Sequence, residues 1–339
     1  MPLTVNHPSA RRAWSLELSQ NTQQGTFFYK SKLLAKAGSA GAESAVIVQM
    51  DELMSRKEGG KASGYRIDFD LDGPMAIIPK SGDNPIKGFE ARLSLYSDTI
   101  EINQDRVSVI DDGKFADGLV PYAFRERVMK RLSTDQWPIY YDERFIVKLS
   151  GSLGSGTWKT IDTTKATSSA RNIDGSVASD GNNLRTVSSG RVVYANQTTQ
   201  AAITTADVMS LDVIDDAVLK AVRPASNTTL NRTVPLLKIG GKDALVLLMD
   251  YVVLAGMNAA TSGRFYDIQR AKLQGGMKDS ALLDFAEYYY RSPMGVDVYI
   301  VPHPNMVVFS AAATGGQKVV RSLLLGQGAA RIATGREAK

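Results

Sequence analysis

Gly64-Tyr65-Arg66-Ile67-Asp68-Phe69-Asp70-Leu71-Asp72 alternates apolar and charged residues without a break. A period of two marks a strand with one apolar and one polar face. A second run, with Phe89, Ala91, Leu93 and Leu95 on one face and Glu90, Arg92 and Ser94 on the other, is the expected partner strand. The connection from Gly73 to Gly88 carries Pro74, Pro79, Pro85 and Gly82 and is far too long for a tight hairpin turn. The expectation is a two-stranded ribbon with an extended tip, half apolar and half charged. Such a ribbon is marginal alone in water, so it is expected to lie on a neighbour.

Upstream, the first sixty residues read as an arm. Gln20 to Gly25 is polar and Gly38 to Gly41 is small, while Phe27, Phe28, Tyr29, Leu33 and Leu34 are apolar enough to dock on another surface. Ser44 to Arg56 is expected to be a short helix, ended by the glycines of Lys57 to Gly64.

Downstream, Pro121 suits a first helical turn. Val120, Phe124, Val128 and Leu132 repeat at spacings of four, with Arg125, Glu126, Arg127, Lys130 and Arg131 on the other faces. Trp137, Tyr141, Phe145 and Leu149 continue the spacing as an expected core face, and Pro138 should kink or split the helix. The whole segment would reach ~45 Å if fully helical.

Residues 150–205 are rich in Ser, Thr, Gly and Asn and read as a linker or insertion, with Arg191 to Tyr194 a candidate strand inside it. Thr205 is the expected cap of a helix carrying Leu211, Ile214, Val218 and Val222 on one face, stopped by Pro224. Leu236 to Ile239 and Ala244 to Met249 flank Gly240-Gly241-Lys242-Asp243, a hairpin signal. Val296 to Val301 and Met306 to Phe309 read as strands joined by Pro302-His303-Pro304, and 317–325 reads as a helix. The fold class expected is α+β.

The chain has 339 residues, 43% hydrophobic and 22% charged, which suits folded domains rather than wholesale disorder. It contains no cysteine and only two histidines, His7 and His303. Disulfide scaffolds, thiolate zinc sites, cysteine nucleophiles and histidine clusters are therefore excluded. No stretch approaches the ~20 apolar residues of a membrane span, and no membrane partner is expected. The net charge of +5 is mild, but the ends are basic. Residues 1–36 hold Arg11, Arg12, Lys30, Lys32 and Lys36 against Glu17, a pattern suited to a polyanion or an acidic neighbouring subunit.

Sites of chemistry are scarce. Gly151 to Thr157 lacks the Lys-Ser/Thr pair that must directly follow the second glycine of a phosphate loop. Asp68, Asp70 and Asp72 share one strand face and could hold a cation, but a solvated face or pairing with a neighbour's arginines accounts for them. Asp111-Asp112 and Asp215-Asp216 have no second group to make an acid/base pair. Tyr288-Tyr289-Tyr290 beside Arg291 could stack bases, and His303 reads as a turn residue. No enzyme active site, cofactor or metal is expected.

The order of these elements carries more than any one of them. The ribbon runs into Ser97-Asp98-Thr99-Ile100-Glu101-Ile102-Asn103-Gln104. The long helix, the helix from Asp207 to Val222 and Gly241-Lys242-Asp243-Ala244-Leu245-Val246-Leu247-Leu248 come next. Asp267-Ile268-Gln269-Arg270-Ala271, Gly295-Val296-Asp297-Val298-Tyr299-Ile300 and Leu323-Leu324-Leu325-Gly326-Gln327-Gly328-Ala329-Ala330 complete the series. Over roughly residues 60–335 the chain resembles the major capsid proteins of tailed phages related to phage N-four, which have the Hong Kong 97-type fold.

The resemblance implies an N-terminal arm (1–63), an extended loop over the adjacent subunit (64–100), a peripheral domain with a long spine helix and the Ser/Gly/Thr-rich insertion (101–205), and an axial domain with the C-terminal return (206–339). It implies a virion shell of hexamers and pentamers assembled in host cytoplasm around double-stranded DNA. The partners it implies are further copies of the chain, a separate scaffolding protein, a portal protein and decoration proteins. Candidate intersubunit contacts are then Lys80, Asp83 and Lys87 at the loop tip, Arg66, Asp68, Asp70, Glu90 and Arg92 along the ribbon, and Arg125, Glu126, Arg127 and Arg131 on the spine. Arg11, Arg12 and Lys30 are the candidate DNA-facing residues. The alternative function is single-stranded nucleic-acid binding through the basic arms and the tyrosines, with steep salt dependence.

Overall fold

The computed structural model describes residues 25–36, 38–39, 41–50, 66–72, 95–101, 128, 130–150, 158–160, 189–223, 234–260, 265, 288–309 and 319–333. Four helices and thirteen strands are used below. The helices are α1 (Phe27–Lys30), α2 (Trp137–Ser150), α3 (Leu211–Val222) and α4 (Tyr251–Ala260). The strands begin with β1 (Leu34–Lys36), β2 (Ile47–Met50), β3 (Arg66–Asp72), β4 (Leu95–Glu101) and β5 (Trp158–Thr160). Then come β6 (Leu237–Ile239), β7 (Lys242–Met249), β8 (Tyr288–Arg291), β9 (Asp297–Pro302), β10 (Val307–Phe309), β11 (Val319–Val320), β12 (Leu323–Leu325) and β13 (Ala330–Ala333).

The centre is a mixed sheet in which β7 and β9 run parallel, from Ala244↔Asp297 to Met249↔Pro302. β8 pairs antiparallel on the outer edge of β9, and β12 and β6 both pair antiparallel with β7. The expected hairpin forms: β6 and β7 are joined by Gly240 and Gly241, whose φ values of 57° and 77° give the mirror-image turn that matches strand twist. Lys238 and Asp243 pair across it as an exposed salt bridge.

Both faces of this sheet are buried, and the period of two divides its side chains between two cores. Ala244, Val246, Leu248, Tyr299, Val301, Tyr289, Leu323 and Leu325 face one, together with Phe28, Leu33, Val46, Ile47 and Ile146. Leu245, Leu247, Met249, Val298, Ile300 and Tyr290 face the other, with Ile214 and Val218 of α3 and Leu254 and Met257 of α4.

Polar anchors fix the elements. Asp250 follows β7 and caps α4, its carboxylate accepting the Val252 N–H at 2.7 Å. Asp215 of α3 accepts the Tyr290 hydroxyl and the Ser292 hydroxyl, each at 2.7 Å, and so ties helix to sheet. Asp215, the first residue of the Asp215-Asp216 pair, thus has a structural use. Asp215→Ala orphans both hydroxyls and is expected to lower stability by about 1–3 kcal/mol in urea unfolding. A change below a few tenths would show that the tie is dispensable.

Several expectations are corrected. Ser44 to Arg56 is not a helix over its described part: β2 lies between β1 and β13, parallel to both, so long-range pairing overrides local propensity. The third helix starts at Leu211, capped by Ser210 rather than Thr205. Upstream, the Asp207 carboxylate accepts the Thr204 N–H, the Thr204 hydroxyl and the Gln197 amide at 2.8, 2.8 and 3.0 Å, which closes a turn where the helix was expected. Over its described part the 317–325 helix is instead β11 and β12, because Leu323–Leu325 completes the open edge of β7. Arg191 to Tyr194 is a 3-10 turn ending at Arg191, followed by an isolated Tyr194–Gln197 bridge.

The spine meets Pro138 through a π-helical turn, Leu132–Gln136, and continues as α2. Proline has no N–H and its ring crowds the carbonyl four residues back, so the wider turn relieves both. The Ser133 and Thr134 hydroxyls donate to the Lys130 carbonyl at 3.1 and 2.8 Å. At the other end, Arg321 Nη1 donates to the Ser150 carbonyl at 2.8 Å, so a half-buried cation closes the helix C-terminus. Burial lowers the Arg321 guanidinium to about 9.

Candidate intersubunit surfaces

The ribbon forms, and its described second strand extends beyond the expected run. β3 pairs antiparallel with β4 from Arg66↔Glu101 to Asp72↔Leu95, so the partner of Arg66–Asp72 is Leu95–Glu101 rather than the run from Phe89 to Leu95. Opposed residues share a face. Positions 66, 68, 70 and 72 therefore lie with 101, 99, 97 and 95, and positions 67, 69 and 71 lie with 100, 98 and 96. Among the described strands, neither outer edge of this two-stranded sheet is paired. Lys80, Asp83, Lys87, Glu90 and Arg92 fall outside the described residues, as do Arg125, Glu126, Arg127, Arg11 and Arg12. So do Asp111-Asp112, Asp267 to Ala271 and the Gly151 to Thr157 stretch.

The apolar residues of the arm dock on this chain's own spine. Phe28 and Leu33 are fully buried in the first core, which corrects the view of 25–50 as a segment seeking another surface. The Phe28 ring stands edge-on to Phe145 at 5.5 Å and to Phe27 at 5.4 Å. Gly25 sits against the proline, where a Cβ would come within 2.6 Å of Pro138 Cγ. The spine residue between them is Asp142: the Phe27 N–H donates to both its oxygens, at 2.9 and 2.8 Å. A carboxylate 115 positions away thus serves the start of α1. Lys30 ends α1 and is exposed, as is Arg131 beside the π turn; these two and the ribbon positions are the candidates that the structure describes.

The spine's inward face is Pro138, Asp142, Ile146 and Ser150, one position on from the expected stripe. Phe145 and Leu149 still pack on the core, but Trp137 and Tyr141 are half-buried. They belong to a chain of rings: Trp137 stacks on Tyr141 at 5.9 Å and meets Tyr140 edge-on at 5.7 Å, and Arg144 lies over Tyr140 at 5.4 Å. Ile139 beside them is 40% exposed. Trp, Tyr and Arg are the residues that concentrate binding energy in protein interfaces. Sequence spacing missed this because it placed Trp137 and Tyr141 inward with Phe145.

The second surface is on α4. Tyr251–Ala260 contains no charged residue, and its outward positions are Tyr251, Val252, Ala255 and Ala259. Tyr251 is 51% and Val252 74% exposed. A helix apolar all round is ordinarily covered on all sides.

The tyrosine run offers no stacking platform. Tyr289 and Tyr290 are buried in β8, on opposite faces of the sheet, and the Tyr289 phenol is pushed up by burial and by Asp297 beside it. Asp297 is itself buried, with Arg291 Nε 3.7 Å from its Oδ1. His303 proves to be a turn residue: its Nδ1 accepts the Asn305 N–H at 3.1 Å, and burial lowers it to about 4. Among the described residues, no group of three or more His, Asp or Glu is placed to hold a metal, and no helix is long and apolar enough to cross a membrane.

The fold has counterparts among solved structures. The capsid of Ralstonia phage GP4 is similar at a TM-score of 0.70 and 23% identity, covering 93% of this chain and 79% of that one. The head structure of Helicobacter pylori bacteriophage KHP40 is similar at a TM-score of 0.51 and 10% identity, covering 86% and 72%. No curated protein matches the sequence. The family model described as phage capsid protein matches residues 3–339, and over that length the chain belongs to the phage capsid protein family, as a structural protein of a bacteriophage particle.

Proposed function

We propose that this chain is the major shell protein of a tailed phage, assembling as hexamers and pentamers into an icosahedral capsid around double-stranded DNA. The observation that carries the reading is the family match over residues 3–339, in a chain that also holds a ribbon unpaired at both edges among the described strands. A ribbon of that kind gains stability by lying on another copy.

In this reading the parts are those of the Hong Kong 97-type fold. The ribbon within 64–100 is the extended loop, 101–205 the peripheral domain with its spine, and 206–339 the axial domain built on β7 and β9. Residues 25–50 anchor the 1–63 arm on its own subunit, leaving 1–24 to cross to a neighbour. Contacts are distributed over the ribbon charges, Arg131 and the spine aromatics, and the outward face of α4. A separate scaffolding protein, a portal and decoration proteins are the further partners, and Lys30 with Arg11 and Arg12 faces the packaged DNA. Assembly takes place in host cytoplasm.

Sedimentation velocity with electron microscopy tests this on the purified chain, alone and with its phage's scaffolding protein. Rings or shells with five- and six-fold symmetry are expected, and Asp68→Lys with Asp70→Lys is expected to abolish them while leaving the circular dichroism unchanged. Monomers that never assemble with scaffold, yet bind single strands with affinity falling steeply as salt rises, would transfer the assignment to nucleic-acid binding.

A further inference from the structure

The contact between α1 and the spine is built around ionisable groups held away from water. Asp142 is buried on the inward face of α2 and is met by the Phe27 N–H through both oxygens. On the other side, the Phe27 ring stands edge-on to His303 at 5.0 Å, and that imidazole is buried too. Phe27 is thus held between a buried acid and a buried base. Among the described residues, Lys30 on α1 acts on the acid, and Glu143 is the next residue on the spine. Burial pushes the Asp142 carboxyl up to about 6, against the opposing pull of the Phe27 and Phe28 amides and of Lys30.

We infer that Asp142 is a proton-operated latch: residues 25–36 form a strap that docks on the spine more tightly when this carboxyl is neutral. Docking takes the carboxyl out of water and returns mainly backbone donors. The protonated group still accepts the Phe27 N–H through its carbonyl oxygen, but no longer carries a charge into the interior. Undocking returns Asp142 to water and to its ordinary, lower value. The sign follows: docking takes up a proton, its gain is complete below the exposed value, and it is lost as pH rises through about 6. His303 works against this, because it is docked neutral and gains its proton more readily when uncovered.

Amide exchange at Lys30, Ser31 and Lys32 reads the docking directly, since their N–H groups are held by the carbonyls of Thr26, Phe27 and Tyr29. The full chain is compared with Asp142→Asn, which keeps an acceptor oxygen and cannot ionise. The ratio of wild-type to variant protection cancels intrinsic exchange and the titration of His303. It is expected to rise about tenfold between about pH 7.5 and 5, with the variant at least as well protected at the upper end. The same rise is expected in a His303→Gln background. A flat or falling ratio, a strap lost from Asp142→Asn at neutral pH, or a rise that vanishes with His303 each overturns the latch.

Discussion

Phe28→Ala is expected to lower stability by about 3–5 kcal/mol, a large share of the ~5–15 kcal/mol that holds a typical domain. Phe28 is fully buried and lies where α1, the spine and the central sheet meet. Truncation removes the ring's transfer free energy and leaves a cavity that three separate elements would have to close together. Phe145 loses its edge-on partner, and Ile146 loses cover on one side. Denaturant unfolding followed by circular dichroism measures the change. A loss under about 1 kcal/mol would mean that α1 is an appendage, and that the core ends at the spine.

The second large effect belongs to Gly326. Its φ is not the reason; the space is. A Cβ there would stand 2.3 Å from the Pro235 carbonyl oxygen and 2.6 Å from Val234 Cγ1. The carbonyl cannot retreat easily, because it accepts the Gln327 N–H at 2.8 Å. Here the chain leaves β12 and passes the start of β6, both of them on the same edge of β7. Gly326→Ala is therefore expected to cost about 3 kcal/mol and to loosen both short strands. Gly241 makes the contrast: its added Cβ would meet open space, and only its φ of 77° resists substitution. Gly241→Asn, which tolerates that conformation, should cost well under half as much. Equal losses at the two glycines would show that crowding at Pro235 is not the constraint.

What could be read from the sequence was whatever depends on neighbours in the chain. The alternation at Tyr65 to Asp72 gave the ribbon's first strand, and Gly240-Gly241 gave a hairpin in the right place. The four-residue spacing gave the spine but turned it by one position, because Pro138, Asp142 and Ser150 do not look like core residues. Asp142 faces inward to serve an amide from residue 27, and no local pattern announces that demand. Leu323 to Leu325 and Ile47 to Met50 were misjudged for the same reason. Each becomes a strand because a distant edge is waiting for it. The surfaces were half legible: charge alternation marked the ribbon, whereas the ring chain from Trp137 and the bare face of α4 needed the burial of everything around them.

The small sheet of β1, β2 and β13 sets a timetable. β2 is its middle strand, and one of its partners, Ala330–Ala333, lies almost the whole chain away in sequence. On the ribosome, β2 emerges before β13 and must wait, half paired, until the spine and the central sheet between them have been synthesised. A chain whose synthesis has not yet reached β13 therefore lacks one side of this sheet.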